Sequence, residues 1–275
     1  MNQPQSRSER VVVTRVGEAG GSLVTTRTDD VVVVEEPMSI RLDDTLVATT
    51  MRTPGHDFEL AAGFCFTEGS LGGVPITTVR YVGDPVAHNL NVVSVDTGGR
   101  APRPTPRLGN VSSSCGWCGT EIVDDLYWRL QPLIGPTPID LDVLRNVPSA
   151  VGALQGLFES TGAAHGAAAF DERGEVLLVR EDVGRHNAVD KVIGRLLLDG
   201  KLPASQWGLF VSGRASVEMV QKAWSAGFGT LLAVSAPTTL AIRSAELAGI
   251  RLAGFVRSNG FNVYADSHDR ARPET

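Results

Sequence analysis

Apolar positions follow two different rhythms along this chain, and the rhythm changes near its middle. Up to about residue 97, β-branched residues come in short runs: Val11 to Val16, then "DDVVVVEEPMSIRLDD" and "TLVATTMRTPG". Acidic, glycine and proline residues separate them, which predicts antiparallel strands behind a disordered-looking tail. Two more strand-like runs lie around Val79 to Val82 and Asn91 to Val95. Between the two groups, "HDFELAAGFCFTEG" has the spacing of a short amphipathic helix, with Asp57 as N-cap or first-turn acid and Gly69 closing it.

The pattern then breaks. "TGGRAPRPTPRLGNVSSS" has prolines, glycines and serines but no apolar period, so it predicts a mobile loop or linker. "TEIVDDLYWRLQPL" follows as a helix, with Thr120 as N-cap and Pro132 ending it, and a second helix is expected from Pro148 to Ser160. Beyond it the rhythm is regular. "AAHGAAAFDERGEVLLVRED" predicts a hairpin turning at "DERG", and "GRHNAVDKVIGRLLLDG" a helix stopped by Gly200. "WGLFVSG", "SVEMVQKAWSAG", "TLLAVSAP", "TTLAIRSAELAG" and "RLAGFVRSNG" then alternate strand and helix, the last being a strand. Such alternation predicts a largely parallel sheet covered on both faces.

These readings give an α/β protein (α+β overall) with a small mixed N-terminal domain and a three-layer α/β/α C-terminal domain. The expected segments are 1–29 (tail and first strand), 30–97 (N-terminal α+β domain) and 98–119 (mobile loop with both Cys115 and Cys118). Connecting helices over 120–160, the layered domain over 161–265 and a tail over 266–275 complete the chain. The C-terminal order of elements resembles the cytidine-deaminase fold. The zinc signature of those enzymes is missing, because "RHNAVDK" and "SGRAS" stand where its histidine and cysteines belong. Deamination is therefore not expected.

Composition narrows the classes of function. With 275 residues, 42% of them hydrophobic, the chain can bury a core without disulfide staples. A net charge of −6 argues against general nucleic-acid binding. The polar first ten residues, the absence of a membrane-length apolar run and a total of three cysteines predict a reducing, cytoplasmic setting.

Ligands of open α/β sheets sit at the carboxyl ends of strands, where helix N-termini also point. Three such junctions occur here, "EDVGRHN", "VSGRAS" and "VSAPTT", and they place Ser212, Gly213 and Arg214, with Arg185, at one edge. Small residues admit a ligand to the backbone, and free N–H groups with arginines favour anions, so a phosphate-bearing ligand is expected. His186 and Asp190 stand one helical turn apart, and a polar contact or capping suits them better than metal ligation; no permanent metal is expected.

The C-x-x-C pair in "VSSSCGWCGTE" allows several readings. Zinc would want four ligands, and Cys65, the remaining cysteine, looks like a core position. A redox dithiol usually sits directly between a strand and a helix, whereas a loop precedes this pair. An inert exposed pair is a third reading. The fourth is a nucleophilic, sulfur-carrying pair whose thiolate is favoured by the following helix N-terminus. Spacing alone does not choose among them.

The stretches "MRTPGHDFELAAGFCFTEG", "SSSCGWCG", "REDVGRHNAVDKVIG", "SGRASVEMVQKAWSAG" and "VSAPTTLAIRSAELAGIRLAGFVRSNGFNVY", in this order, resemble the formate dehydrogenase accessory sulfurtransferase family, FdhD, from about residue 30 to 265. The resemblance implies transfer of sulfur from a cysteine desulfurase to the molybdenum (or tungsten) bis-guanine-dinucleotide cofactor, the Mo-bis(molybdopterin guanine dinucleotide) needed by formate dehydrogenase. It implies a cytoplasmic homodimer with no nucleic acid and no membrane as partner. It makes Cys115 the persulfide carrier with Cys118 as its companion, and assigns cofactor contact to the terminal-strand segment Phe255, Val256, Arg257, Ser258, Asn259 and Gly260. A cofactor-binding chaperone without sulfur transfer and a thiol–disulfide oxidoreductase are the rival functions.

Overall fold

The computed structural model describes residues 6–83, 91–103, 130–135 and 139–266. The first strands form a longer feature than the Val11 to Val16 run predicts. β1 (Ser8–Ala19) and β2 (Ser22–Val33) make a two-stranded antiparallel ribbon, so residue 29 falls inside a strand. Gly20 and Gly21, both at positive φ, form its turn, the conformation that matches strand twist in a two-residue hairpin. Most of the ribbon is exposed; Leu23, for example, is 78% accessible.

β3 (Glu36–Leu42), β4 (Thr45–Arg52), β5 (Thr78–Tyr81) and β6 (Val92–Asp96) form a four-stranded sheet in the order β4-β3-β6-β5. Its β3–β6 pair is parallel, and the other two pairs are antiparallel. Met38, Ile40, Leu42, Val93 and Val95 pack from this sheet with Leu60, Ala61, Phe64 and Cys65 of α1 (Asp57–Thr67).

Helix α1 is not amphipathic, contrary to its sequence pattern. Nearly all of its residues are buried, because the sheet covers one side and a second helix the other. His56 takes the N-cap position in the left-handed region, leaving Asp57 as a first-turn acid. Asp57 binds Arg52 at 3.0 Å, and both side chains are fully buried. Burying a paired charge is tolerable only when its partner is buried with it, as here.

The C-terminal part is a six-stranded sheet in the order β12-β11-β10-β9-β7-β8. β7 (His165–Phe170) and β8 (Val176–Asp182) form the expected hairpin. The middle strands β9 (Gly208–Val211), β10 (Thr230–Ala233) and β11 (Arg251–Arg257) run parallel. β7 is antiparallel to β9, and β11 is not the last strand. β12 (Gly260–Ala265) returns antiparallel beside it, so the sheet is mixed and "FVRSNG" includes a hairpin turn.

Helices cover both faces of this sheet, giving the α/β class and the layered arrangement expected. On one face lie α5 (Arg185–Leu198), α6 (Val217–Ala226) and α7 (Thr239–Ala248), around a core with many alanines. Glycines in the left-handed region close α6 and α7 at Gly227 and Gly249. On the other face, Ile139, Leu144, Val147 and Val151 meet Phe170, Phe210 and Leu232. The single helix expected from Pro148 to Ser160 is instead α3 (Val147–Gly152) and α4 (Gly156–Thr161), preceded by the single turn α2 (Leu141–Leu144). The glycines at 152 and 156 and the Gln155 N-cap interrupt the helical run between them.

The two sheets are joined by backbone contact between helices. A methyl group at Gly63 of α1 would overlap the Asp190 carbonyl of α5, and one at Gly194 would overlap the Glu59 carbonyl of α1. Two buried ion pairs flank the crossing. Lys222 binds both oxygens of Asp190 at 2.9 Å and the Thr67 hydroxyl at 2.9 Å. Lys191 binds Asp182 at 2.7 Å and donates to the Thr53 carbonyl at 2.9 Å.

Candidate functional site

The carboxyl ends of β9, β10 and β11 meet the start of antiparallel β7 at one edge of the sheet. A cavity of about 530 Å³ opens there, between the sheet edge and α3–α4. Ser212, Val256, Arg257 and Ser258, four of the residues predicted to contact a ligand, line it. Val256 is buried, whereas Arg257 and Ser258 are exposed.

The other predicted residues lie around this cavity without lining it. Phe255 occupies an irregularity in β11 at φ 54 and is 46% exposed. Asn259 and Gly260 belong to the turn and the start of β12. Gly213 lies against the Arg185 side chain, and exposed Arg214 is close enough to help depress the Arg185 pKa, after burial. Cys115 and Cys118 lie outside the described residues, as do most of the expected 98–119 loop and the helix expected after Thr120. Cys65 is fully buried, and burial, then Asp190 and Glu68, push its thiol up to about 12. It is no nucleophile.

The three strand-to-helix junctions do different work. "EDVGRHN" docks the N-terminal sheet: Asp182 accepts from the Thr53 N–H at 3.1 Å, and Asn187 donates to the Met51 carbonyl at 2.7 Å. Asp190 is taken up by Lys222 rather than standing at a pocket edge. "VSAPTT" caps its own helix, the Thr238 hydroxyl accepting from the Ala241 N–H at 3.2 Å. "VSGRAS" retains capacity, since the Ser216 hydroxyl is buried with no hydrogen-bond partner among the described residues.

Sequence reasoning did not single out His165, Gln155 and Phe158, which also line the cavity. His165 arrives because β7 runs antiparallel to β9, so that its first residue falls beside the last residues of β9. Its Nδ1 lies 3.2 Å from the Ser212 hydroxyl, which accepts from the Gly166 N–H at 2.9 Å. The hydroxyl hydrogen is then available to a neutral imidazole. Burial, followed by the positive charge of Arg185, lowers the His165 pKa. His186 is lowered to about 3 by burial and then by Lys222, Arg185 and His165. Arg185, Arg214 and Arg257 give this edge a positive bias in a chain of net charge −6, and the two imidazoles beside them add no charge. The arrangement can bind an anionic ligand bearing apolar surface. Among the described residues, no group of three or more His, Cys, Asp or Glu side chains could hold a metal ion.

Fold and edge together define an α/β protein in which a small mixed sheet is locked onto a layered one that carries a ligand cavity. A crystal structure of a candidate formate dehydrogenase accessory protein from Desulfotalea psychrophila has the same fold. Its TM-score is 0.71, covering 93% of this chain and 96% of that one, at 22% identity. Residues 33–271 match the FdhD/NarQ family, and the chain belongs to that family. Sulfur carrier protein FdhD of Streptomyces avermitilis is 43% identical, with 95% of each chain covered. Its counterpart in Sulfurisphaera tokodaii is 42% identical, covering 86% of this chain and 90% of its own. Among the described residues, no helix is long and apolar enough to cross a membrane.

Proposed function

We propose that this protein carries persulfide sulfur from a cysteine desulfurase to the molybdenum bis-guanine-dinucleotide cofactor of formate dehydrogenase. The observation that carries this reading is kinship with sulfur carrier proteins over nearly the whole chain, in a sequence that has the C-x-x-C pair Cys115 and Cys118. The cavity supports it as well: arginine and hydroxyl groups for phosphates lie beside apolar surface for a ring system.

The chemistry begins with the Cys115 thiolate attacking the outer sulfur of the donor's persulfide. A new S–S bond forms on Cys115, the donor's own S–S bond breaks, and the donor cysteine leaves as its thiolate. Cys118 assists release or protects the carrier. The acceptor, a metal cofactor with guanine dinucleotide arms, is cargo that binds at the sheet edge through its phosphates. Formate dehydrogenase is the downstream partner, the cytoplasm the compartment and a homodimer the working assembly in this reading.

Intact mass after incubation with a desulfurase and cysteine tests the carrier step. The wild-type chain gains the mass of one sulfur atom, and Cys115→Ser gains none. In cells, Cys115→Ser abolishes formate dehydrogenase maturation while GDP binding is retained. Full activity with the Cys115→Ser protein would defeat the carrier assignment and favour a cofactor chaperone. Insulin reduction by the isolated protein would favour an oxidoreductase.

A further inference from the structure

A second cavity, of about 400 Å³, opens where α1 and α5 end. Phe66, Leu71, Val74 and Ile76 line it on one side, and Leu197 and Leu198, the last residues of α5, on the other. Glycines and a proline complete the lining, so no charged or hydroxyl side chain belongs to it. Gly69, Gly72 and Gly73 take positive φ, which lets the loop fold back without side chains that would fill the hollow. Leu198 is 43% exposed at its rim.

The hollow lies at the end of the molecule where the cysteine-bearing stretch departs and returns. Before that stretch, Pro102 packs on Gly72 of the lining, so closely that a methyl group at Gly72 would overlap it. After it, the Gln131 carbonyl accepts from the Trp224 indole at 2.8 Å, and the Leu133 N–H donates to the Ala248 carbonyl at 2.9 Å. Trp224 is in the last turn of α6 and Ala248 ends α7, just as Leu198 ends α5. The sheet-edge cavity lies where these helices begin, about 20 Å away along the 14-residue α5.

We infer that this hollow seats an apolar side-chain cluster of the sulfur-donating protein while Cys115 receives its sulfur. The inference rests on the carrier reading above and adds the surface on which the donor lands. Contact there is hydrophobic, because the nearby charges already pair with each other: Asp199 is held by Arg195 at 3.0 Å and by Lys201 at 3.7 Å. The described flanks do not fill it, since Ala101 packs into the N-terminal core and Leu130 into the larger one. Its ten lining residues fall well short of the roughly 20–30 per side of a stable interface. That suits a donor that must leave once its sulfur is handed over, and suits a second copy of this chain poorly. A donor seated here also leaves the sheet-edge cavity free for cargo.

Intact mass of the full-length protein, followed over time with limiting cysteine desulfurase and excess cysteine, tests the surface. Leu198→Glu sets a charge in the hollow from an exposed position and slows the gain of one sulfur about tenfold. Val74→Glu, on the facing side, does the same and decides the matter should Leu198→Glu not fold. Glutathione persulfide hands its outer sulfur to the Cys115 thiolate and leaves as the glutathione thiolate. It needs no docking surface, so it loads wild type and variants equally. Both variants keep the wild-type oligomeric state. Wild-type rates with the desulfurase in both variants overturn the docking surface while sulfur carriage stands. Equal slowing with both donors also overturns it, by assigning the hollow to the chain's own cysteine segment, and a changed oligomeric state does so by assigning it to a second copy. A wild-type chain loaded by neither donor overturns the carrier reading, and one loaded by glutathione persulfide alone overturns the desulfurase as donor; the surface falls with either.

Discussion

The two faces of the six-stranded sheet are covered very differently. On one side, helices of 14, 10 and 10 residues lie over the strands, and their small buried side chains leave little room. On the other, the covering helices have 4, 6 and 6 residues, and a cavity of about 530 Å³ remains at the strand ends. Long helices can pave a sheet continuously, whereas short ones meet it in patches with gaps between. The closed face therefore supplies cohesion and the patched face supplies access. Substitutions on the first should change stability, and substitutions on the second should change binding.

Lys222→Met strains that division most. Removing one partner of a buried pair leaves Asp190 charged and unsolvated, so the loss is about 3–5 kcal/mol of unfolding free energy in denaturant titrations. A loss below about 1 kcal/mol would mean that the pair does not anchor the closed face. Gly194→Ala comes next, at about 3 kcal/mol, since the added methyl meets main chain that cannot rotate away.

A pH series tests His186. Its imidazole is held neutral down to about pH 3, while in the unfolded chain it takes up a proton below about pH 6.5. Its full contribution is present above the unfolded pKa and drains away as pH falls towards the folded one. Between pH 7.5 and pH 5 this amounts to about 2 kcal/mol. His186→Leu should flatten that part of the pH–stability curve, and an unaltered slope would remove His186 from the account.

The smallest stability effect belongs to the patched face. Arg257→Ala should shift unfolding by no more than about 0.5 kcal/mol, being exposed. GDP binding should nevertheless weaken by about 1.5–3 kcal/mol through loss of a charge-assisted contact. Arg214→Ala, outside the cavity, should weaken it less. Equal effects from the two arginines would place the phosphates nearer Arg185 than the cavity mouth.

The long helices of the closed face were legible in the sequence because their starts and stops are local. Gly200, Gly227 and Gly249 follow helical runs and mark where the backbone leaves the right-handed region. Helix α1 was misread because local spacing cannot reveal that a second helix covers its outer side. The ribbon was read short because the β-branched run was followed and the Gly20–Gly21 turn signal was not. At the candidate site, Ser212 followed from the rule that ligands meet strand ends, and Val256, Arg257 and Ser258 from the family resemblance. Gln155, Phe158 and His165 did not, since their arrival depends on how short helices and an antiparallel strand pack from elsewhere in the chain.

The crossing at Gly63 and Gly194 also bears on how the molecule moves. Sliding interfaces between packed helices ordinarily work by small side-chain adjustments while the main chains stay apart. Here peptide groups touch directly, and a small rotation of one helix would drive a carbonyl into the other backbone. The crossing therefore resists sliding or rotation of one sheet against the other. Amides flanking the crossing should be the last in the chain to exchange with deuterium.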